Sequence, residues 1–353
     1  MILQAAESSG SLTVAILIIG VALVFDYING FHDSANSIAT IVSTRVLAPK
    51  YAVLWAAFFN FVAAFLLSLA VASIIAKTLD AKASTNEVIF ASLMGAIGWD
   101  LLTWYYGIPS SSSHALIGGL VGAGLAMGGS EVVKWGTLVK PTIGIVVAPT
   151  FCLAMGFTLM LGILWICRHR HPARLNRAFK GLQFLSASIY SLSHGGNDAQ
   201  KTMGVICALL VGEGFLRVKD ASKGIAANEV PLWVVLSAHL AIALGTLSGG
   251  WRIVKTMGSK ITKLRPVDGF AAETAGGCLI IAFTELGMPV STTHSIAGAI
   301  MGVGATKRLS AVRWGISGRI VIAWILTIPA SALVAAICYW ITHACVVMYQ
   351  RTG

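Results

Sequence analysis

The chain has 353 residues, 56% of them apolar by the AVILMFWYC set and 11% charged, with a mean hydropathy of +0.81. A soluble domain carries about 25% charged residues, so this composition excludes a cytosolic enzyme, a disordered chain and a secreted disulfide scaffold. The net charge of +11, from 25 basic and 14 acidic residues, reads as a topology signal in cytoplasmic loops and not as a nucleic-acid footprint.

Met1–Gly10 lacks a basic n-region and no A-x-A site follows the first apolar run, so residues 11–29 read as a retained span. A crossing helix needs about 20 mostly apolar residues. Segments 11–44, 51–76, 141–167, 182–212, 231–250 and 319–343 meet that requirement. Two further apolar regions, 88–128 and 269–305, are interrupted by Gly-x-Pro at 107–109 and 287–289. Each reads as a helical hairpin with the proline at its turn, two unbroken crossings being the alternative. Glycine and proline at depth require protein or a polar cavity to satisfy the freed backbone groups. With the N-terminus outside, segments 45–50, 168–180, 251–268 and 306–319 lie in the cytoplasm and hold 16 of the Lys and Arg residues, against 8 outside and Lys201 at membrane depth. The positive-inside rule supports this orientation, with both termini outside and the central basic loop cytoplasmic. The six cysteines have no C-x-x-C spacing and read as small apolar residues, with no metal assigned.

The chain repeats itself. Gly30-Phe-His-Asp33-Ser-Ala-Asn36-Ser37 is echoed 165 residues later by Gly195-Gly-Asn-Asp198-Ala-Gln-Lys201-Thr202. Gly107-Ile-Pro109-Ser-Ser-Ser-Ser113-His114 is echoed 180 residues later by Gly287-Met-Pro289-Val-Ser-Thr-Thr293-His294, and Gly118, Gly122 and Gly124 recur as Gly298, Gly302 and Gly304. The first half begins outside and the second inside, so the copies run antiparallel through the membrane. The expected fold is an all-α polytopic membrane protein of two inverted-topology repeats, 1–167 and 182–353, joined by the loop 168–181. Inverted repeats with interrupted helices are the signature of a secondary transporter with its site near the midplane.

The hydroxyl motifs suit an anion. Proline fits a first helical turn, and the hydroxyls after it lie beside free N–H groups at the positive end of the helix dipole. Two such ends, carrying Ser111, Ser112, Ser113 and Ser291, Thr292, Thr293, can converge on one tetrahedral oxyanion. The bland alternative is that these hydroxyls only cap and pack short helices. Asp33 and Asp198 lie in apolar stretches beside expected helix breaks at Tyr27–Phe31 and Ser193–Gly196. A carboxylate at a helix centre costs about 2.5–3.5 kcal/mol on insertion scales, which favours a functional role. With Asn36, Ser37, Asn197 and Thr202 and with unwound carbonyls, these aspartates can hold a cation or a proton, a structural hydrogen bond across the break being the alternative. Lys201 pairs with an aspartate or with the anion. Glu285, beside the second turn, is a candidate lining residue, while Asp26, Asp100 and Glu273 read as helix-bridging acids. His32, His114, His194 and His294 either relay a proton or, more commonly, hold a helix break. Catalytic readings fail on geometry: Ser113 and His114 are helix neighbours that point apart. No H-E-x-x-H and no G-x-x-x-x-G-K-[ST] occurs.

At these residues the chain resembles the inorganic phosphate transporter (PiT) family, whose signature has the form G-A-N-D-V-A-N-[SA] in both halves with P-x-S-[ST]-[ST]-H in each. The likeness runs from about Val24 to Trp340. Phe31-His32 and Gln200-Lys201 depart from the signature and are similar to the low-affinity bacterial phosphate permease branch. That resemblance implies a multi-pass protein of the bacterial inner membrane, importing phosphate by proton symport, alone or as a divalent metal–phosphate complex with Mg²⁺ or another metal. An ammonium can only donate hydrogen bonds, so Lys201 disfavours Na⁺ at its position. The site expected from both lines of reasoning has Ser111, Ser112, Ser113, Ser291, Thr292 and Thr293 holding phosphate. Asp33, Asn36, Asn197 and Asp198 manage the co-transported charge, with Gln200 and Lys201 tuning it, and repeat-built bundles rock around the site. No cofactor and no nucleic acid are expected; membrane lipid and a second copy of the chain, as a homodimer, are the expected partners. The alternatives are Na⁺ coupling, sulfate as the oxyanion, and, in other classes, a passive anion channel or an intramembrane phosphatase.

Overall fold

A computed structural model describes residues 2–80, 83–218 and 225–352, and among them the fold is all helical, with one isolated bridge between Leu79 and Val133. In chain order the helices are α1 (Ile2–Ser43), α2 (Pro49–Val62), α3 (Ala70–Ala76), α4 (Asn86–Tyr106), α5 (Ser112–Gly128), α6 (Trp135–Cys167), α7 (Pro172–Gly212), α8 (Leu232–Ser248), α9 (Trp251–Lys255), α10 (Pro266–Glu285), α11 (Thr292–Ala305) and α12 (Trp314–Thr352). Among the described residues six helices are long and apolar enough to cross a membrane, and up to eight spans result if each bent pair, α2–α3 and α8–α9, is one; α7, which holds the expected crossing 182–212, is not among them.

The two Gly-x-Pro segments interrupt helices as expected. Gly107 ends α4 at φ +65° and Gly287 follows α10 at φ +66°, the left-handed conformation that glycine adopts at no steric cost. Backbone bonds from Gly107 to Trp104 (2.9 Å) and Ile108 to Thr103 (2.9 Å) have counterparts from Gly287 to Thr284 (2.9 Å) and Met288 to Phe283 (2.8 Å). The chain then starts α5 or α11, which packs beside the helix just ended.

Other expectations need correction. Segment 51–76 is not one straight crossing: α2 runs through a 3₁₀ turn at Ala63–Phe65 and then bends by 83° into α3. Segment 231–250 likewise bends by 62° after Ser248, at Gly249 (φ +69°). Conversely, α1 and α7 are unbroken through Tyr27–Phe31 and Ser193–Gly196. Their glycines serve close helix approach instead. Gly30 abuts the Ile242 backbone of α8 and Gly245 abuts Tyr27 of α1, while Gly195 abuts Asn60 of α2; a Cβ at any of them would overlap backbone atoms.

Packing exchanges helices between the sequence halves. Helix α5 lies on α12, where Gly118 and Gly122 meet the backbone of Ile328 and Ala332. Helix α11 lies on α6, where Gly298 and Gly302 meet Pro149 and Leu153. Two apolar cores result, one of them around Phe25, Leu93, Leu116 and Met203, the other around Ile38, Met160, Tyr190 and Ile296. The outer faces of α6 and α12 expose Val146, Phe151, Ile166, Ile325, Leu333 and Trp340, as helices facing lipid do.

Candidate functional site

The hydroxyl motifs begin helices, though with a register different from that expected. Ser111 and Ser291 are the N-caps, their Oγ atoms accepting from the backbone N–H of His114 (3.3 Å) and His294 (3.1 Å). Pro109 and Pro289 therefore precede the caps by two residues and do not sit in the first turn. A cap hydroxyl satisfies an orphan N–H, and in doing so commits the acceptor side of Ser111 and Ser291. Residues 112, 113, 292 and 293 form the first turns proper and are fully buried.

Helices α1 and α7 carry the acidic motifs to these starts, each toward the other half's helix. Asn36 of α1 donates to Thr292 Oγ1 (3.2 Å) and Thr293 Oγ1 (2.9 Å) of α11. Lys201 of α7 donates to Ser113 Oγ of α5, to Asp198 Oδ1 and to the Val290 carbonyl (3.2 Å). Thr292 Oγ1 donates in turn to Asp198 Oδ2 (3.0 Å). Asn36 and Lys201 are matched by the 165-residue offset, and Thr293 and Ser113 by the 180-residue offset. The contact is thus made twice, once by an amide and once by an ammonium.

Asp33 pairs with His32 (Nδ1–Oδ1 2.6 Å) and Asp198 with His194 (Nε2–Oδ2 3.2 Å) as well as with Lys201. One donor atom each from Asp33, His194 and Asp198 lies within 4.8 Å of the others, all three residues being buried. Two carboxylate oxygens and an imidazole nitrogen form a set that can hold a divalent cation. His194 is the member that the residue pattern undervalues, although its i, i+4 spacing from Asp198 places both on one face of α7. Beside the helix starts, Asn36 Oδ1 and Ser112 Oγ are buried without close partners, and in the acidic motifs so are Ser37 Oγ, Asn197 Oδ1 and Thr202 Oγ1. Buried polar groups are ordinarily paired, so Asn36 Oδ1 and Ser112 Oγ are available to a polar cargo.

The remaining candidates point elsewhere. Asn197 Nδ2 donates to Thr284 Oγ1 (2.8 Å) of α10, as His32 Nε2 meets Thr103 Oγ1 (3.1 Å) of α4. Gln200 clamps the α2–α3 bend: its Oε1 accepts from Val71 (2.9 Å) and Ala72 (3.3 Å), and its Nε2 donates to the Ser68 and Gly196 carbonyls (both 2.6 Å). Glu285 is exposed and accepts from Ser68 N–H (3.2 Å), so it braces the same bend and does not line the centre. Glu273 does bridge helices, accepting from Gln183 (2.9 Å) and Ser186 of α7. Asp26 takes a long bond from Asn29 (3.5 Å) of its own helix and faces Thr202 of α7, and Asp100 faces Ser112 of α5, so each looks across to another helix without a close hydrogen bond. The rings of His114 and His294 meet at 4.7 Å, and His294 stacks on Trp324 at 3.9 Å.

A family model described as "Phosphate transporter family" matches residues 29–335. A protein of Rhizobium meliloti named as a probable low-affinity inorganic phosphate transporter is 56% identical over 324 residues, covering 92% of this chain and 95% of its own. One of Bacillus subtilis, named likewise, is 42% identical over 334 residues, covering 94% and 98%. A solved structure described as "The sodium-dependent phosphate transporter" aligns with a TM-score of 0.83 at 24% identity, over 94% of this chain and 99% of that one. At that identity the likeness speaks for the fold.

Proposed function

The chain belongs to the phosphate transporter family, and on that premise we propose that it imports inorganic phosphate by proton symport, as the free anion or with a divalent metal. It is a transporter and not an enzyme, as its relatives are named. The observation that carries the reading is the pair of cross-half contacts, Lys201 with Ser113 and Asn36 with Thr293. They draw two helix starts, with their free N–H groups and hydroxyls, onto one buried centre. Ser112, Ser113, Thr292 and Thr293 bind phosphate oxygens there; Ser111 and Ser291 act through the caps they form. Asp33 and Asp198 hold the co-transported charge, Asn36 and Lys201 join the halves, and Asn197 and Gln200 position the flanking helices.

Proton coupling rests on Lys201. It fills with an ammonium the place matched to Asn36, and it consumes Asp198 Oδ1, leaving no oxygen cage for Na⁺ at that position. The metal–phosphate reading rests on the set Asp33, His194 and Asp198, with the metal as cargo beside phosphate. Na⁺ coupling is the second reading, favoured by the sodium-dependent protein that shares the fold. We further propose that 1–167 and 182–353 are repeats inverted in the bacterial inner membrane, with the segment 168–181, expected as a loop but helical from Pro172 as the start of α7, cytoplasmic, both termini outside and two copies assembling as a homodimer. Proteoliposomes with pH, Na⁺ and Mg²⁺ gradients clamped independently test the coupling. Labelled phosphate should accumulate under an inward proton gradient in sodium-free buffer. Accumulation only with sodium transfers the reading to Na⁺, competition by excess sulfate widens the substrate, and flux that never concentrates phosphate marks a channel.

A further inference from the structure

Asp100 sits within α4, wholly buried, and neither of its carboxylate oxygens has a hydrogen-bond partner. An ionised carboxylate so placed has lost its water, with only the Ser112 hydroxyl facing it in place of the lost donors, whereas the neutral acid leaves far less unsatisfied. Among the other buried acids, Glu273 accepts from Gln183 and Ser186, Asp198 from Lys201 and Thr292, and Asp33 pairs with His32, while Asp26 keeps one long bond, from Asn29 (3.5 Å), and lies away from the hydroxyl turns. The residue matched to Asp100 in the second half is Ile280, also buried, so the acid belongs to one half alone.

Its surroundings connect it to the phosphate-binding turn. Ser112, the first residue of α5, faces it, and its hydroxyl also lacks a partner. His32 and Asp33 of α1 and Asp198 of α7 lie within electrostatic reach, yet no hydrogen bond or ion pair joins Asp100 to any of them. Helix α12 brings Thr327 and Ser331 to α4, bonding Trp99 and abutting Gly95, while its ionisable contact, His343 with Glu87 (2.8 Å), lies in the first turn of α4, away from Asp100. Helix α9 brings Arg252, which is spent on the Tyr105 carbonyl near the end of α4.

We propose that Asp100 carries the co-transported proton, gaining it when phosphate binds and exchanging it with the phosphate pocket across Ser112. The proposal rests on the proton-symport reading, and its test separates the two. The full chain is reconstituted in proteoliposomes as wild type, Asp100→Asn and Asp100→Glu. An imposed gradient of about one pH unit is worth about tenfold in concentration per proton carried. Wild type should therefore concentrate labelled phosphate about tenfold and Asp100→Asn not at all. Gradient-free exchange of internal for external phosphate should persist in Asp100→Asn, and Asp100→Glu should concentrate phosphate again with a displaced pH profile. Accumulation by Asp100→Asn equal to wild type overturns the proposal and leaves symport standing. Loss of exchange together with accumulation also overturns it, since binding and not coupling has then failed. If wild type ignores the pH gradient, the symport reading fails before any variant is compared, and the proposal with it. Should Asp100→Asn not yield folded protein, Asp100→Glu decides alone: an unchanged pH profile overturns the assignment.

Discussion

Lys201→Met asks how much the buried ion pair contributes and whether its value is charge balance or packing. Lys201 and Asp198 side chains are each 1% exposed, and the ammonium is fully spent on Asp198, Ser113 and Val290. Breaking a buried pair by removing one partner costs about 3–5 kcal/mol, chiefly because the surviving charge is left uncompensated. Here the survivor retains Thr292 Oγ1 at 3.0 Å and His194 Nε2 at 3.2 Å, so the expected loss lies at the lower end, about 3 kcal/mol. In the double variant Asp198→Asn with Lys201→Met no charge is buried, and replacing both partners of such a pair is often near neutral. It should lie within about 1 kcal/mol of wild type, and since Asp198→Asn alone strands the ammonium and should also cost about 3 kcal/mol, the double-mutant cycle should return a coupling energy of about 5 kcal/mol. Denaturant unfolding in mixed micelles, followed by thiol labelling of the buried Cys152 and Cys207, measures all four corners. A double variant no more stable than Lys201→Met alone would refute the reasoning, because the loss would then come from packing.

Three further outcomes follow from the same geometry. Gly118→Ala and Gly298→Ala place a Cβ against the backbone of α12 and α6 and should each destabilise by about 1–3 kcal/mol. Gly162→Ala in α6, with open space around it, should stabilise by up to about 1 kcal/mol; equal melting temperatures for the three would contradict the close-packing assignment. Ser111→Ala and Ser291→Ala should each cost about 1 kcal/mol through the lost cap, with matching shifts in thermal melts, and a shift at one alone would show that the caps are not equivalent. Gln200→Leu strips the bonds to Val71, Ala72, Ser68 and Gly196. Losses of about 1–3 kcal/mol should appear as faster amide hydrogen exchange confined to residues 66–73, and uniform acceleration across α7 would argue against a local clamp.

What the residues announce by themselves is whatever depends on local chain chemistry. The Gly-x-Pro stops are legible because a left-handed glycine ends a helix whatever surrounds it, and the serine and threonine runs because such side chains seek N-terminal N–H groups. The bend at 66–69 carries no glycine or proline. It is held by Gln200, some 130 positions away, so no window of neighbouring residues contains its cause. Gly30 and Gly195 fail for the opposite reason. Glycine that breaks a helix and glycine that admits a second helix look alike until the partner, Ile242 or Asn60, is known. His194 was within reach, since i, i+4 geometry puts it beside Asp198. The solitary state of Asp100 was not, because an absent partner is a property of the packing.

The packing also limits how such a molecule can move. Each bend in one half is held by the acidic-motif helix of the other: Gln200 of α7 grips α2–α3, and Ser34 Oγ of α1 accepts from Gly250 N–H (2.5 Å) at α8–α9. The hairpin turns dock in the same crossed fashion, Gly107 against Arg252 and Gly287 against Ala70. Helices α5 and α11 lie at backbone contact on the other half's α12 and α6. Separating residues 1–167 from 182–353 as rigid bodies would break all of these contacts at once, in an interior too closely packed to deform gradually. Bodies that rocked around the buried centre would therefore each have to be assembled from both halves. Sequence symmetry and mechanical division are different things in this fold.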